Sequence, residues 1–186
     1  VRSCPPDSSL HGFPTKAAML TRPATPADAG SITEIYNQGI EDRIGTFETE
    51  PRTVGQVLAW FEATGLLGHY PIVVTEDEGR IVAFAATSAY HSRACYRGVA
   101  EFSVYVARDY RGRGAGRAAL GSLIEAAAKA GFWKLLSRVF TENVASRRAC
   151  AAVGFREVGT NLKHAKLDGV WRDVVVVERL IEENID

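Results

Sequence analysis

The chain has 186 residues, 46% hydrophobic and 24% charged, which suits one domain with a real core and an ordinary globular composition. Basic and acidic residues number 22 each, so the surface as a whole has no net charge to attract nucleic acid, and any basic site must be local. Three cysteines (Cys4, Cys95, Cys150) without short spacing argue against a disulfide framework and a zinc site and point to a reducing, cytoplasmic setting, and no apolar run approaches the ~20 residues of a membrane span.

Residues 1–19 hold prolines and small polar residues and are expected to form a poorly ordered tail ahead of a folded domain over 20–182. The sole methionine, Met19, directly precedes this domain and is a candidate for the true start. Leu20 to Pro23 reads as a short strand. Thr25-Pro26 then caps a helix carrying Ile32, Ile35, Tyr36 and Ile40 at helical spacing. A polar loop (IGTFETEP, from Ile44 to Pro51) leads to a second helix over Thr53–Thr64, with Val57, Leu58 and Phe61 inward. A strand from Pro71, a turn at Asp77–Arg80 and a returning strand to Ala89 form a hairpin. After the connection YHSRACYRG come a strand over Val99–Ala107, a helix over Ala115–Ala130 with Leu120, Leu123, Ile124 and Ala127 inward, and a strand over Lys134–Phe140. A helix over Asn143–Val153, ended by Gly154, and two last strands complete a single α+β domain with a mixed sheet.

The stretch VYVARDYRGRGAGRAAL joins a strand to a helix through a turn rich in glycine and arginine. Alternation in Val99–Ala107 sets Phe102, Val104 and Val106 on one face and Glu101, Ser103 and Tyr105 on the other. Arg111, Gly114 and Gly116 then follow in the spacing R-x-x-G-x-G. A helix N-terminus offers unpaired N–H groups, and glycines let the backbone approach an anion, so the turn reads as a pyrophosphate cradle reinforced by Arg111, Arg113 and Arg117. Neither the dinucleotide spacing G-x-G-x-x-G nor a Gly-Lys-Ser/Thr phosphate loop is present. The alternative is a plain glycine-rich connection with solvated arginines.

From Leu20 to Leu180 the chain resembles the GNAT-type N-acetyltransferases, on VYVARDYRGRGAGRAAL, on Asn143 with its helix and Gly154-Phe155, and on the order of elements. The resemblance implies an α+β, GNAT-type fold, a mixed, mostly antiparallel sheet of about six to seven strands flanked by about four helices. It implies acetyl-CoA as cosubstrate and no metal. The pyrophosphate would lie on Arg111, Gly112, Arg113, Gly114, Ala115, Gly116 and Arg117. The pantetheine arm would lie along Val104, Tyr105 and Val106, with Asn143, Ser146 and Arg147 at the arm or nucleotide end. Glu101 to Ala107 spans six steps of ~3.3 Å, comparable with an extended arm. RPATPADAGSITEIYNQGI, TFETEP, VAEFSVYV and GVWRDVVV are similar to the phosphinothricin and methionine sulfoximine acetyltransferases, which implies an acceptor amino acid of phosphinothricin, methionine sulfoximine or arsinothricin type, a resistance role and a homodimer.

Acetyl transfer to an amine needs a base for the ammonium proton and a donor for the carbonyl oxygen. Glu101 is the catalytic candidate: it is the acid in an otherwise buried-looking strand, and desolvation there would raise its pKa. The resemblance also places the family's glutamate on it. The alternative is a structural ion pair with Arg93 or Arg97. The backbone N–H near Val104 is the candidate oxyanion donor. Cys150 stands where relatives carry a proton donor, against the alternative of inert packing. Arg93 and Tyr96 match substrate-gripping positions, and Phe47 and Thr49 match the substrate loop, with core packing the alternative for Phe47. His91 replaces a basic position of some relatives. Arg97, Trp171 and Arg172 are lesser candidates, and His11, His69 and His164 read as ordinary. Two other functions remain open: acetylation of a polyamine, drug amine or protein N-terminus, and a non-catalytic CoA-binding regulator.

Overall fold

The structure is a computed structural model that describes residues 19–65 and 69–185. The expected N-terminal tail, apart from Met19, lies outside the described residues. In chain order the elements are β1 (Leu20–Pro23), α1 (Ala29–Glu41), α2 (Val54–Trp60), β2 (Ile72–Asp77), β3 (Arg80–Ala89), β4 (Val99–Val106), α3 (Ala115–Lys129), β5 (Lys134–Phe140), α4 (Val144–Ala152), β6 (Arg156–Leu167) and β7 (Val170–Leu180). The strands form one seven-stranded sheet in the order β1-β2-β3-β4-β5-β7-β6. Every neighbouring pair is antiparallel except β4–β5. This is the α+β mixed sheet expected from the sequence. No helix among the described residues is long and apolar enough to cross a membrane.

Local signals start the helices where the sequence places them. Ahead of α1, the Asp28 carboxylate accepts from the Thr25 amide at 2.8 Å and from both Arg22 Nη atoms at 2.7 and 2.9 Å. Arg22 Nε also donates to Glu76 on β2 at 2.9 Å, so one guanidinium ties β1 to its neighbour strand and to the first helix. These bonds to Arg22 hold the Asp28 carboxyl below the usual carboxylate range. A depressed folded-state pKa means stability that is complete above the unfolded value, about 4, and is lost as pH falls through the folded one. Asp28→Asn is therefore expected to flatten the acid limb of stability, measured as urea midpoints between pH 5 and pH 2. An unchanged slope would assign acid unfolding to other carboxylates.

At α2, Thr53 and Gln56 cap each other, with the Gln56 amide donating to Thr53 Oγ1 at 3.2 Å and the Thr53 amide to Gln56 Oε1 at 2.8 Å. Val57 and Phe61 are buried as expected, but Leu58 is 36% exposed, a correction to its inward placement. The helix also ends sooner than Thr64. After Trp60 it widens into a π-turn over Phe61–Gly65, which rotates the later residues relative to a regular α spacing.

The sheet separates two cores. Phe102 packs with the α3 residues Ala119, Leu120, Leu123 and Ala127 and with Cys150 of α4, while Val104 and Val106 line the same face. Ile124 is half-buried at the margin of that core. On the other face, Phe84 and Tyr105 pack with Ile32 and Ile35 of α1 and Val57 of α2. The parallel pairing of β4 and β5 is short: Val99, Ala100 and Glu101 oppose Lys134, Leu135 and Leu136. Beyond Leu136, β5 continues beside β7 as far as Phe140↔Val174, while β4 continues beside β3 as far as Val106↔Ala83. The two strands thus part after Glu101 and leave a wedge in the middle of the sheet.

Candidate active site

The glycine-arginine turn closes one end of this wedge. Gly112 and Gly114 have φ of +75° and +91°, and nothing lies within 4 Å of a Cβ added at either. They are used for backbone shape, which L side chains adopt only at a cost of ~1–2 kcal/mol. Gly114 starts α3 with no side chain capping it, so the first-turn N–H groups and the positive end of the dipole face outward. Gly116 has a different role. A Cβ there would meet Val106 Cγ2 at 3.1 Å, so its absence lets α3 sit close on β4. An open, uncapped backbone concavity of this kind fits a diphosphate.

The arginines of the turn differ in their engagements. Arg111 pairs with Asp42 at 2.6 Å and donates through Nε to the Val106 carbonyl at 3.3 Å. Arg108 adds bonds to Asp42 at 2.7 Å and Glu41 at 2.7 Å, which fastens the turn to the C-terminal end of α1. Arg113 lies over the Tyr110 ring at 5.0 Å, and Arg117 is exposed. Along β4, Ala107 gives its N–H to Val82 on β3. Strand alternation then turns the amides and carbonyls of Val106 and Val104 the other way, into the wedge. The Tyr105 side chain stacks on Phe84 at 5.3 Å and against Tyr36 at 4.7 Å. Its burial pushes the phenol pKa well up, so the hydroxyl stays protonated.

At the start of α4, Asn143 Oδ1 accepts from the Ser146 amide at 3.1 Å, an N-cap. Its Nδ2 donates to the Ile44 carbonyl at 2.8 Å, which ties the loop after α1 to α4. Arg147 is held by Glu157 at 2.7 Å and by the Thr141 carbonyl at 2.9 Å.

Glu101 sits where β4 and β5 part, opposite Ser88 on β3 and Leu136 on β5. Its carboxylate receives Arg138 Nη1 of β5. Among the described residues neither Arg93 nor Arg97 pairs with it. The strand is less enclosed here than its sequence implies, with the Glu101 side chain 32% exposed, so the premise of a desolvated carboxylate is corrected. Arg138 has the same sequence signature as Glu101, a charge in mid-strand among apolar neighbours in KLLSRVF, yet sequence reading passed it over.

On the same face as Glu101, a cavity of about 130 Å³ lies under α1 and α2, lined by Tyr36, Arg52, Trp60, Phe84, Ser88 and Ser103 among others. Arg52 donates to Glu48 at 2.9 Å through Nε and lies 4.6 Å over the Tyr36 ring, while the Tyr36 hydroxyl donates to Glu48 at 2.9 Å. Burial, followed by the Glu48 charge, raises the Tyr36 pKa. This cluster was also missed, because Tyr36 at helical spacing reads as core.

The remaining candidates lie on loops and at strand ends. Phe47 packs edge-on against Phe140 at 4.7 Å and near His164, so its side chain serves packing. Thr49 is exposed, and its carbonyl accepts from Arg43 at 3.3 Å. In the exposed connection after β3, the Arg93 amide donates to His91 Nδ1 at 3.1 Å and Tyr96 stands edge-on to Tyr90. Arg97 lies over Trp133, Trp171 is 51% exposed, and Arg172 pairs with Glu142. Cys150 is 1% exposed, and burial pushes its thiol up to about 12, which favours packing over proton donation. Cys150→Ala is expected to keep kcat within about two-fold while costing ~1–2 kcal/mol of stability. A kcat loss beyond about ten-fold in a stably folded variant would restore the acid role.

The Acetyltransferase (GNAT) family profile matches residues 32–155. The chain belongs to the GNAT acetyltransferase family. This GNAT enzyme is 31% identical over 166 residues to the L-methionine sulfoximine/L-methionine sulfone acetyltransferase of Salmonella typhimurium, covering 89% of this chain and 96% of the relative. It is 32% identical to the phosphinothricin N-acetyltransferase of Streptomyces coelicolor, covering 90% and 99%. Among solved structures, yncA from Salmonella typhimurium with its cofactor acetyl-CoA superposes with a TM-score of 0.85 at 30% identity, covering 91% and 98%. The resemblance read from the sequence therefore holds for family and fold, and the protein is a GNAT N-acetyltransferase.

Proposed function

We propose that this protein transfers the acetyl group of acetyl-CoA to the amino group of a small amino-acid acceptor of phosphinothricin, methionine sulfoximine or arsinothricin type, a detoxifying activity. One observation carries the reading: the wedge between β4 and β5 has an uncapped helix N-terminus at one end and the Glu101 carboxylate at the other. Acetyl-CoA, when bound, supplies the activated acetyl group. The amides of Gly112 and of Gly114 to Arg117, with the side chains of Arg113 and Arg117, hold its diphosphate, while the Arg113 amide is taken by the Tyr110 carbonyl. The backbone of Val104 and Val106 receives its arm in the manner of an added strand, and the Val104 N–H stands as oxyanion donor. Asn143, Ser146 and Arg147 shape the α4 side of the wedge, Asn143 and Arg147 through the contacts that fix that helix. Glu101 takes the ammonium proton and frees the amine lone pair. Arg93 and Tyr96 grip the acidic end of the acceptor, a phosphinate or carboxylate, and the loop with Phe47 and Thr49 borders it. A homodimer in the cytoplasm goes with this reading, and light scattering tests the dimer.

The test is thiol release from acetyl-CoA across those three compounds, ordinary amino acids and a polyamine. Turnover of those three compounds is expected. Arg93→Ala should raise KM for them ~10–100-fold and leave KM for acetyl-CoA nearly unchanged. An unaltered acceptor KM would remove Arg93 from the site. Acetyl-CoA binding without turnover of any amine would overturn the catalytic reading in favour of a regulator.

A further inference from the structure

Glu101 does not stand alone on its sheet face. Leu136 is registered beside it across the parallel pair, and Arg138, two residues further along β5, returns to the same face and gives its guanidinium to the Glu101 carboxylate. The two side chains are 32% and 37% exposed, so the pair is only half-buried and remains open to a ligand. Arg138 makes no other hydrogen bond or ion pair among the described residues. Arg52, Arg111, Arg147 and Arg172 are instead held by Glu48, Asp42, Glu157 and Glu142. Arg138 can therefore exchange its partner without breaking a second contact.

We infer that Glu101 and Arg138 together receive the zwitterionic head of an α-amino acid, its ammonium on Glu101 and its α-carboxylate on Arg138. This rests on the acetyl-transfer reading above and adds a specificity determinant to it. The argument is one of charge balance. An acceptor bearing a positive charge alone displaces Arg138 from Glu101 and leaves a half-buried guanidinium without its ion-pair partner, which is unfavourable. An acceptor bearing both charges on one carbon replaces a single ion pair with two. The planar fork of the guanidinium matches a carboxylate. When the ammonium proton moves to Glu101, the carboxyl becomes neutral, and Arg138 still faces the acceptor's carboxylate. Proton transfer therefore leaves no uncompensated cation. Simple amines lack this compensation, so the same pair selects against them.

The experiment compares wild type, Arg138→Gln and Arg138→Lys on methionine sulfoximine, phosphinothricin and methionine, each beside its α-methyl ester, at saturating acetyl-CoA. The esters keep the amine and lose the carboxylate charge. Wild type is expected to prefer the free acids. Arg138→Gln should raise KM for the acids ~10–100-fold and leave the esters nearly unchanged, so the acid-over-ester ratio collapses, and Arg138→Lys should lie between. Acetyl-CoA Kd should not move. A preserved acid-over-ester ratio in both variants, with or without a kcat loss shared by acid and ester, would overturn the inference and assign Arg138 to holding Glu101 in place. Amino acids acetylated with that ratio intact would sink this inference alone. Acetylation of polyamines but of no α-amino acid by wild type would sink the acceptor reading as well.

Discussion

Replacing Glu101 with glutamine is expected to lower kcat/KM about 10²–10⁴-fold while acetyl-CoA still binds. Glutamine has the shape of glutamate, and its side-chain oxygen can still accept from Arg138, so the strand and the wedge are left as they are. What it cannot do is take a proton from an ammonium at neutral pH. The loss should fall mainly on kcat if Glu101 acts on the reacting nitrogen as proposed, with a smaller rise in acceptor KM from the lost charge. Calorimetric titration with acetyl-CoA separates the two functions of the site: the phosphate turn and the Glu101 end are joined by the length of β4 and share no side chain. A variant that turns over within a few-fold of wild type would remove Glu101 from the chemistry and leave positioning of amine and thioester as the source of rate.

The largest stability effect is expected from Leu120→Ala, about 2–5 kcal/mol. Leu120 is 0% exposed in the core between α3 and the sheet. Alanine is the better helix former, so a loss here cannot come from propensity and must come from packing and the cavity left behind. For a chain of this size the melting temperature should fall by roughly 4–20 °C. Ile124→Ala, on the same helix but at the margin of the core, should cost distinctly less. Equal losses at the two positions would mean that α3 is held by something other than this buried row. Because the turn proposed to hold the diphosphate leads into α3, acetyl-CoA should raise the melting temperature of the Leu120 variant, by mass action on the folded state.

Much of this protein is legible along the chain because the relevant signals are short. Alternation over β4 separates Glu101 from Phe102, Val104 and Val106, and the structure keeps that division. Thr53 with Gln56, and Gly114 at the start of α3, mark element boundaries within a few residues. The same local reading assigned Leu58 inward, but Val57 and Phe61, one turn apart, are the residues that reach the core, and the π-turn after Trp60 ends the regular helix before Thr64. Nor could that reading see that Phe47 meets Phe140 on a distant strand, the packing alternative that the sequence had left open beside a substrate role.

Sequence alone, through periods of two and of nearly four residues and through turn chemistry, determined the order of elements, the glycine-arginine turn and the acid near the start of β4. Tertiary structure alone decided who meets that acid and what closes the wedge. Glu101 pairs with Arg138, 37 residues away, and Asn143 reaches Ile44 across 99. Such contacts follow from strand order and from a parallel register only three residues long, and these arise from the packing of the whole sheet rather than from any neighbouring stretch of chain.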